Sequence, residues 1–189
     1  MSAFQIVTIA AVGATLAALA VHFAAAGRRR PAEGPARVRL GPWQRLVYGV
    51  MMLALAVLAG TALWAAVCGE RLSGWLLLVH NAAAGPFALG LVVLAILWAE
   101  RCRFAAGPEP ALFAPAQRAV FWVAAVLAAV LILSMMLCWV RLFGTSGQEL
   151  LLEVHRYAAV GMVVTALVHL YLVALGRRSA SLSLPPDRA

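Results

Sequence analysis

Lysine is absent from this chain, and only seven acidic residues stand against fifteen arginines among 189 residues. Charged residues make up 12%, roughly half the share of about 25% in soluble domains, so a water-exposed globular surface is excluded. The arginines lie between apolar runs instead of forming a patch. They read as membrane-topology signals, and nucleic acid is not expected as a partner. Cysteine is sparse: Cys68, Cys102 and Cys138 form no C-x-x-C pair, which excludes a disulfide framework and a zinc site, and no C-x-x-C-H occurs for covalent haem attachment. Period-two alternation is missing, which argues against strands. No Asp or Glu stands in the middle of any apolar run, which argues against a transporter or ion channel, where such groups line the path.

Apolar residues make up 65% of the chain and mean hydropathy is +0.94. Five runs, at 4–26, 46–68, 75–98, 119–140 and 154–175, can each cross ~30 Å of hydrocarbon, which takes about 20 helical residues. Hydrocarbon offers backbone groups no partners, so the runs are expected to be helices. The expected fold is an all-α membrane bundle of five transmembrane helices. It divides into an extra N-terminal helix (1–27), a four-helix core (43–176) and a polar, mobile cytoplasmic tail (177–189). No internal repeat is evident. "MSAF" carries no charge and "GRRR" follows the first run instead of preceding it, so this run reads as an anchor and not as a cleaved signal. With the N-terminus outside, twelve arginines (28, 29, 30, 37, 39, 45, 101, 103, 118, 177, 178 and 188) lie inside and three (Arg71, Arg141, Arg156) outside. That bias puts the C-terminus in the cytoplasm. Ser146 and Glu149 have the spacing of a capping box, with the fifth helix starting near Gly147. Gly85-Pro86 is a candidate kink in the third helix. Trp43, Trp64, Trp75, Trp98 and Trp139 sit near run ends, as interfacial aromatics do.

The four histidines, His22, His80, His155 and His169, all lie in apolar runs. Intramembrane ionisable residues usually mark function and face the bundle interior. His155 and His169 are fourteen residues apart. That falls about 40° short of four turns, so both project from one face, ~21 Å apart along the axis. By depth, His80 matches His155 in the outer half, while His22 and His169 lie in the inner half. Two imidazoles facing across a bundle are the axial ligands of a six-coordinate haem. Ala82, Ala83, Ala84, Gly85, Ala158, Ala159 and Gly161 would give a flat ring room.

Several stretches of residues 43–175 resemble the haem b-binding membrane subunits of formate dehydrogenases and nickel-iron hydrogenases. "WQRLVYGVMMLALAVLAGTALW" is similar to that family's first helix and "LVHNAAAGPFALGLVVLAILW" to its second. "AQRAVFW" is similar to the start of its third, and "HRYAAVGMVVTALVHLYLVAL" to its fourth. The last carries both histidines at the family's spacing. The resemblance implies two stacked bis-histidine b haems, or one. Electrons would pass between a partner dehydrogenase, or an iron–sulfur or cytochrome subunit, and quinone near the inner face of a bacterial cytoplasmic membrane. The chain would be the electron-transfer subunit of an oxidoreductase complex. Carried over residue by residue, His80 and His155 match the outer pair and His169 one inner ligand. Tyr48 stands where the family has the fourth histidine, and His22 on the extra helix is the expected substitute. Gln117 and Arg118 match the quinone-side motif, but Ala114 replaces its Asn. Arg45, Arg71, Arg118 and Arg156 are candidates to pair with haem propionates. The alternative is a haem-free or single-haem membrane anchor of a larger redox complex.

Overall fold

The computed structural model describes residues 1–26, 41–104, 114–140 and 142–182, with the side chains of all but 26 and 177–182. Arg28, Arg29, Arg30, Arg37, Arg39, Arg141 and Arg188, and the tail from 183 on, lie outside the described residues. Five helices follow in order: α1 (Ala3–Ala26), α2 (Pro42–Cys68), α3 (Gly74–Trp98), α4 (Pro115–Val140) and α5 (Thr145–Leu182). All five are long and apolar enough to cross a membrane, and there is no strand among the described residues. The protein is an all-α, multi-pass membrane bundle.

Helix bounds differ from the apolar runs where polar residues begin or extend a helix. α2 and α4 each open on a proline at the first helical position, four residues before the hydrophobic run; proline's fixed φ suits that position and its missing N–H is not needed there. α5 begins at Thr145, with the Gln148 N–H on the Gly144 carbonyl. Ser146 therefore lies inside the helix and does not cap it. At the other end α5 runs to Leu182, so the first residues of the expected tail are helical. Its apolar stretch, Thr145–Gly176, would be ~48 Å long at 1.5 Å per residue, well beyond the hydrocarbon thickness. Its polar first turns, with an exposed Arg156–Glu153 ion pair at 2.7 Å, have room to stand outside the apolar layer. α3 continues through Pro86 as one helix.

The helices pack as two hairpins. α2 lies tightly on α3 and α4 on α5, while contact between the hairpins, α3 with α4 and α2 with α5, is sparser. The four therefore form a ring in which α3 faces α5 and α2 faces α4 across the centre. A buried cluster of Ala54, Phe87, Ala128 and Met162, one residue from each helix, fills the middle, flanked by Met51, Leu55, Leu58, Leu91, Ala124, Leu127 and Leu131. Ala128 at its centre has no exposed surface. Glycine brings the returning helix of each hairpin close to its partner. A Cβ on Gly90 would lie 3.0 Å from the Met51 Cβ, and one on Gly161 3.3 Å from a Leu127 methyl.

α1 leans on α5 and α2. Phe4 meets Tyr157 edge-on at 5.4 Å and lies 4.1 Å under the Arg156 guanidinium. Gln5 donates to the Val67 carbonyl at 3.4 Å. Thr8 is buried, its hydroxyl returned to the Phe4 carbonyl at 2.8 Å, so no polar group is left open at the contact. The remaining surface is largely apolar. Trp75 and Trp139, 82% and 89% exposed at helix ends, sit as interfacial aromatics do.

Candidate functional site

The central apolar cluster separates two polar layers. His80 is seven residues before Phe87 and His155 seven before Met162, while His169 is seven after Met162. At 1.5 Å per residue, His80 and His155 stand at one height, ~10 Å to one side of the cluster, and His169 about as far to the other. His80 and His155 belong to the facing helices α3 and α5.

Each of these two imidazoles is held by a hydroxyl from the helix before it. Thr61 Oγ1 is 2.7 Å from His80 Nδ1, and Ser134 Oγ is 3.2 Å from His155 Nδ1. The hydroxyl protons have destinations within their own helices: Thr61 donates to the Val57 and Leu58 carbonyls at 2.9 and 3.0 Å, Ser134 to the Leu131 carbonyl at 3.0 Å. A hydroxyl has one proton, and when that proton goes to the helix carbonyl its oxygen accepts from the imidazole. The Leu131 carbonyl, itself 3.2 Å from His155 Nδ1, can only accept. His155, with the Leu131 carbonyl at Nδ1, is set as the Nδ1–H tautomer; His80 takes the same tautomer when Thr61 gives its proton to its own helix. In that tautomer the Nε2 lone pair is left on both rings.

The two hairpins repeat one another. Gly41-Pro42-Trp43-Gln44-Arg45 opens α2 and Ala114-Pro115-Ala116-Gln117-Arg118 opens α4, an x-P-x-Q-R start in each. The Gln44 and Gln117 side-chain oxygens both accept from the backbone N–H three residues earlier, each at 3.1 Å. Seventeen residues after each glutamine comes the hydroxyl, Thr61 or Ser134, that bonds the carbonyl three residues back and the histidine of the returning helix. The repeat escapes a plain sequence reading because a handful of positions carry it inside a Leu- and Ala-rich background.

At the other layer the repeat fails. Tyr48 and His169 have no polar counterparts in it. Tyr48 Oη is 2.7 Å from His169 Nε2, with ring centroids 5.9 Å apart, and Trp98 stacks obliquely on Tyr48 at 6.1 Å. His22 is exposed and bonds through Nδ1 to the Tyr171 hydroxyl, the rings edge-on at 5.6 Å. Tyr171 is two residues from His169, about 200° further round α5. His22 therefore approaches α5 from nearly the opposite side, and Tyr48 occupies the place opposite His169 that was expected of His22. His169 thus meets a phenol, and no second histidine, at its Nε2.

Other sequence candidates have local partners. Gln117 caps its own helix. Arg118 Nη1 donates to the Arg103 carbonyl at 2.9 Å and Trp122 Nε1 to the Cys102 carbonyl at 2.9 Å, so both tie the turn after α3 to α4. Cys102 is buried in that turn, and burial raises its thiol pKa above the usual value against a smaller lowering by Arg118. Arg156 is taken up by Glu153 and Phe4, and Arg71 lines a cleft of about 180 Å³ with Ser2, Gln5 and Glu70. Arg45 lies exposed in the first turn of α2. Of the small residues expected to give a ring room, Ala82, Ala84 and Gly85 are exposed, Ala83 and Ala159 half-buried and Ala158 buried; Gly161 serves the approach of α4 instead. Among the described residues, no three or more His, Cys, Asp or Glu side chains gather as ligands for a metal ion. Compared with family models, curated proteins and solved structures, the chain matches none.

Proposed function

We propose that this chain is a membrane cytochrome b subunit in which His80 and His155 hold one b haem between the two hairpins. One observation carries the reading. Two histidines at one height, on facing helices, each have Nδ1 engaged by a hydroxyl of the preceding helix, so Nε2 is the nitrogen each ring can offer to a metal. Metal-ligating histidines are oriented in this way, with the second ring nitrogen donating to an oxygen, and two imidazoles are the ligand set of a low-spin b haem. The sparse contact between the hairpins favours a flat group there. A haem so bound would supply one-electron carriage. The protein's own part is to fix the two rings, to separate the site from the Tyr48–His169 layer with the apolar plug of Ala54, Phe87, Ala128 and Met162, and to exclude water from both.

The resemblance to formate dehydrogenase and hydrogenase membrane subunits, together with the arginine asymmetry, supports the rest of the reading. The membrane is the bacterial cytoplasmic one. The histidine pair lies toward the outside, near a partner dehydrogenase or iron–sulfur or cytochrome subunit, and quinone exchanges electrons on the arginine-rich side. The residues that would meet quinone are not Gln117 and Arg118 by this reading, since both are engaged in building the α3–α4 connection.

The test is the absorption spectrum of the purified protein with a pyridine haemochrome count. One b haem per chain is expected, lost in His80→Ala and in His155→Ala. Full haem content in either variant, or a wild-type chain without a Soret band, would sink the proposal; the second result would favour the haem-free anchor.

A further inference from the structure

We propose that Thr61 and Ser134 are positioning residues for the iron, acting through His80 and His155, and that the chain uses the same device once in each hairpin. This rests on the haem reading above and assigns a role to two residues in it. A hydroxyl inside an apolar helix ordinarily satisfies itself on a carbonyl of the preceding turn. Thr8, Thr15 and Thr165 do so here, with bonds of 2.7–2.8 Å. Thr61 and Ser134 make that bond and also reach across to an imidazole on the returning helix. Ser134 is almost fully buried, so this polar pair lies within the bundle. The bond to the helix carbonyl gives the hydroxyl its direction. The oxygen lone pair then receives Nδ1–H, which fixes the ring's tautomer and restricts its rotation.

The electronic consequence follows from the direction of the bond. An imidazole that donates Nδ1–H to an oxygen is a more basic ligand at Nε2. A more basic ligand favours the ferric over the ferrous ion. Removing the acceptor should therefore raise the midpoint potential and weaken haem retention. Loss of an outer partner typically costs about 10–100-fold in metal affinity. A tenfold loss confined to the ferric form would appear as a rise of about 59 mV for one electron. Valine at 61 keeps the shape of threonine without the hydroxyl; alanine at 134 adds no atoms to a packed site. Serine at 61 keeps the hydroxyl and drops only the methyl.

The experiment is a redox titration, with low-temperature paramagnetic resonance of the ferric haem, on the purified full chain carrying Thr61→Val, Ser134→Ala or Thr61→Ser. The expected result is a higher potential and an altered low-spin signal in Thr61→Val, a smaller change of the same sign in Ser134→Ala, where the Leu131 carbonyl still accepts from His155 Nδ1, and wild-type values in Thr61→Ser. Haem loss in Thr61→Val that Thr61→Ser does not share would support the same conclusion. Unchanged potential and signal in both hydroxyl-less variants, with haem retained, would overturn it. So would equal damage from Thr61→Ser, which would trace the effect to packing of the methyl. A wild-type chain with no haem would instead remove the cytochrome reading, and this inference with it.

Discussion

The two hairpin glycines make unequal demands, and alanine at each should separate them. At Gly90 a new Cβ would lie 3.0 Å from the Met51 Cβ, 3.3 Å from its Cγ and 3.7 Å from its Cα. The first and last of these atoms are fixed by the α2 backbone, so relief requires the hairpin to open. Overpacking of this kind costs about 1–3 kcal/mol, against a helix-propensity gain of ~1 kcal/mol for replacing glycine. The net expectation for Gly90→Ala is a loss of up to about 2 kcal/mol. At Gly161 the nearest atoms are the two Leu127 methyls, at 3.3 and 3.4 Å. They end a rotatable side chain and can give by a few tenths of an ångström, so most of the propensity gain survives. Gly161→Ala should be neutral or stabilised by up to ~1 kcal/mol. Reversible unfolding in mixed micelles of rising SDS content, with far-ultraviolet circular dichroism as the readout, compares the two directly. Equal destabilisation, or a larger loss at Gly161 than at Gly90, would refute the reasoning, because the distinction between a backbone-fixed and a rotatable neighbour would then decide nothing.

His22→Ala should leave haem content and spectrum as in the wild type, since His22 meets Tyr171 and not the space opposite His169; loss of half the haem in that variant would restore His22 as a ligand and with it a second haem. Gln117→Ala removes the acceptor for the Ala114 N–H and should cost ~1 kcal/mol, as loss of a helix-end cap does, with the Soret band unmoved. A potential or quinone-reactivity change out of proportion to that loss, measured on the same preparation, would return Gln117 to the list of site residues.

Much of the fold was legible because helix formation in hydrocarbon is a local matter. Backbone groups must bond within the segment, the span sets the length, and a fixed rise per residue converts sequence distance into depth. Five helices, the shared height of His80 and His155, and the separate height of His169 all follow from the sequence on those terms. Which neighbour each side chain meets is not local. The angle at which α1 leans on α5 took His22 to Tyr171, although its depth alone matched His169. The packing of α2 beside α5 gave His169 to Tyr48. The roles of Thr61 and Ser134 depend on where the returning helix brings an imidazole, nineteen residues on in one hairpin and twenty-one in the other. The sequence by itself determined how deep each histidine lies, since depth is arithmetic along one helix. Only the tertiary structure decided which oxygen each histidine meets, because that oxygen is supplied by another helix.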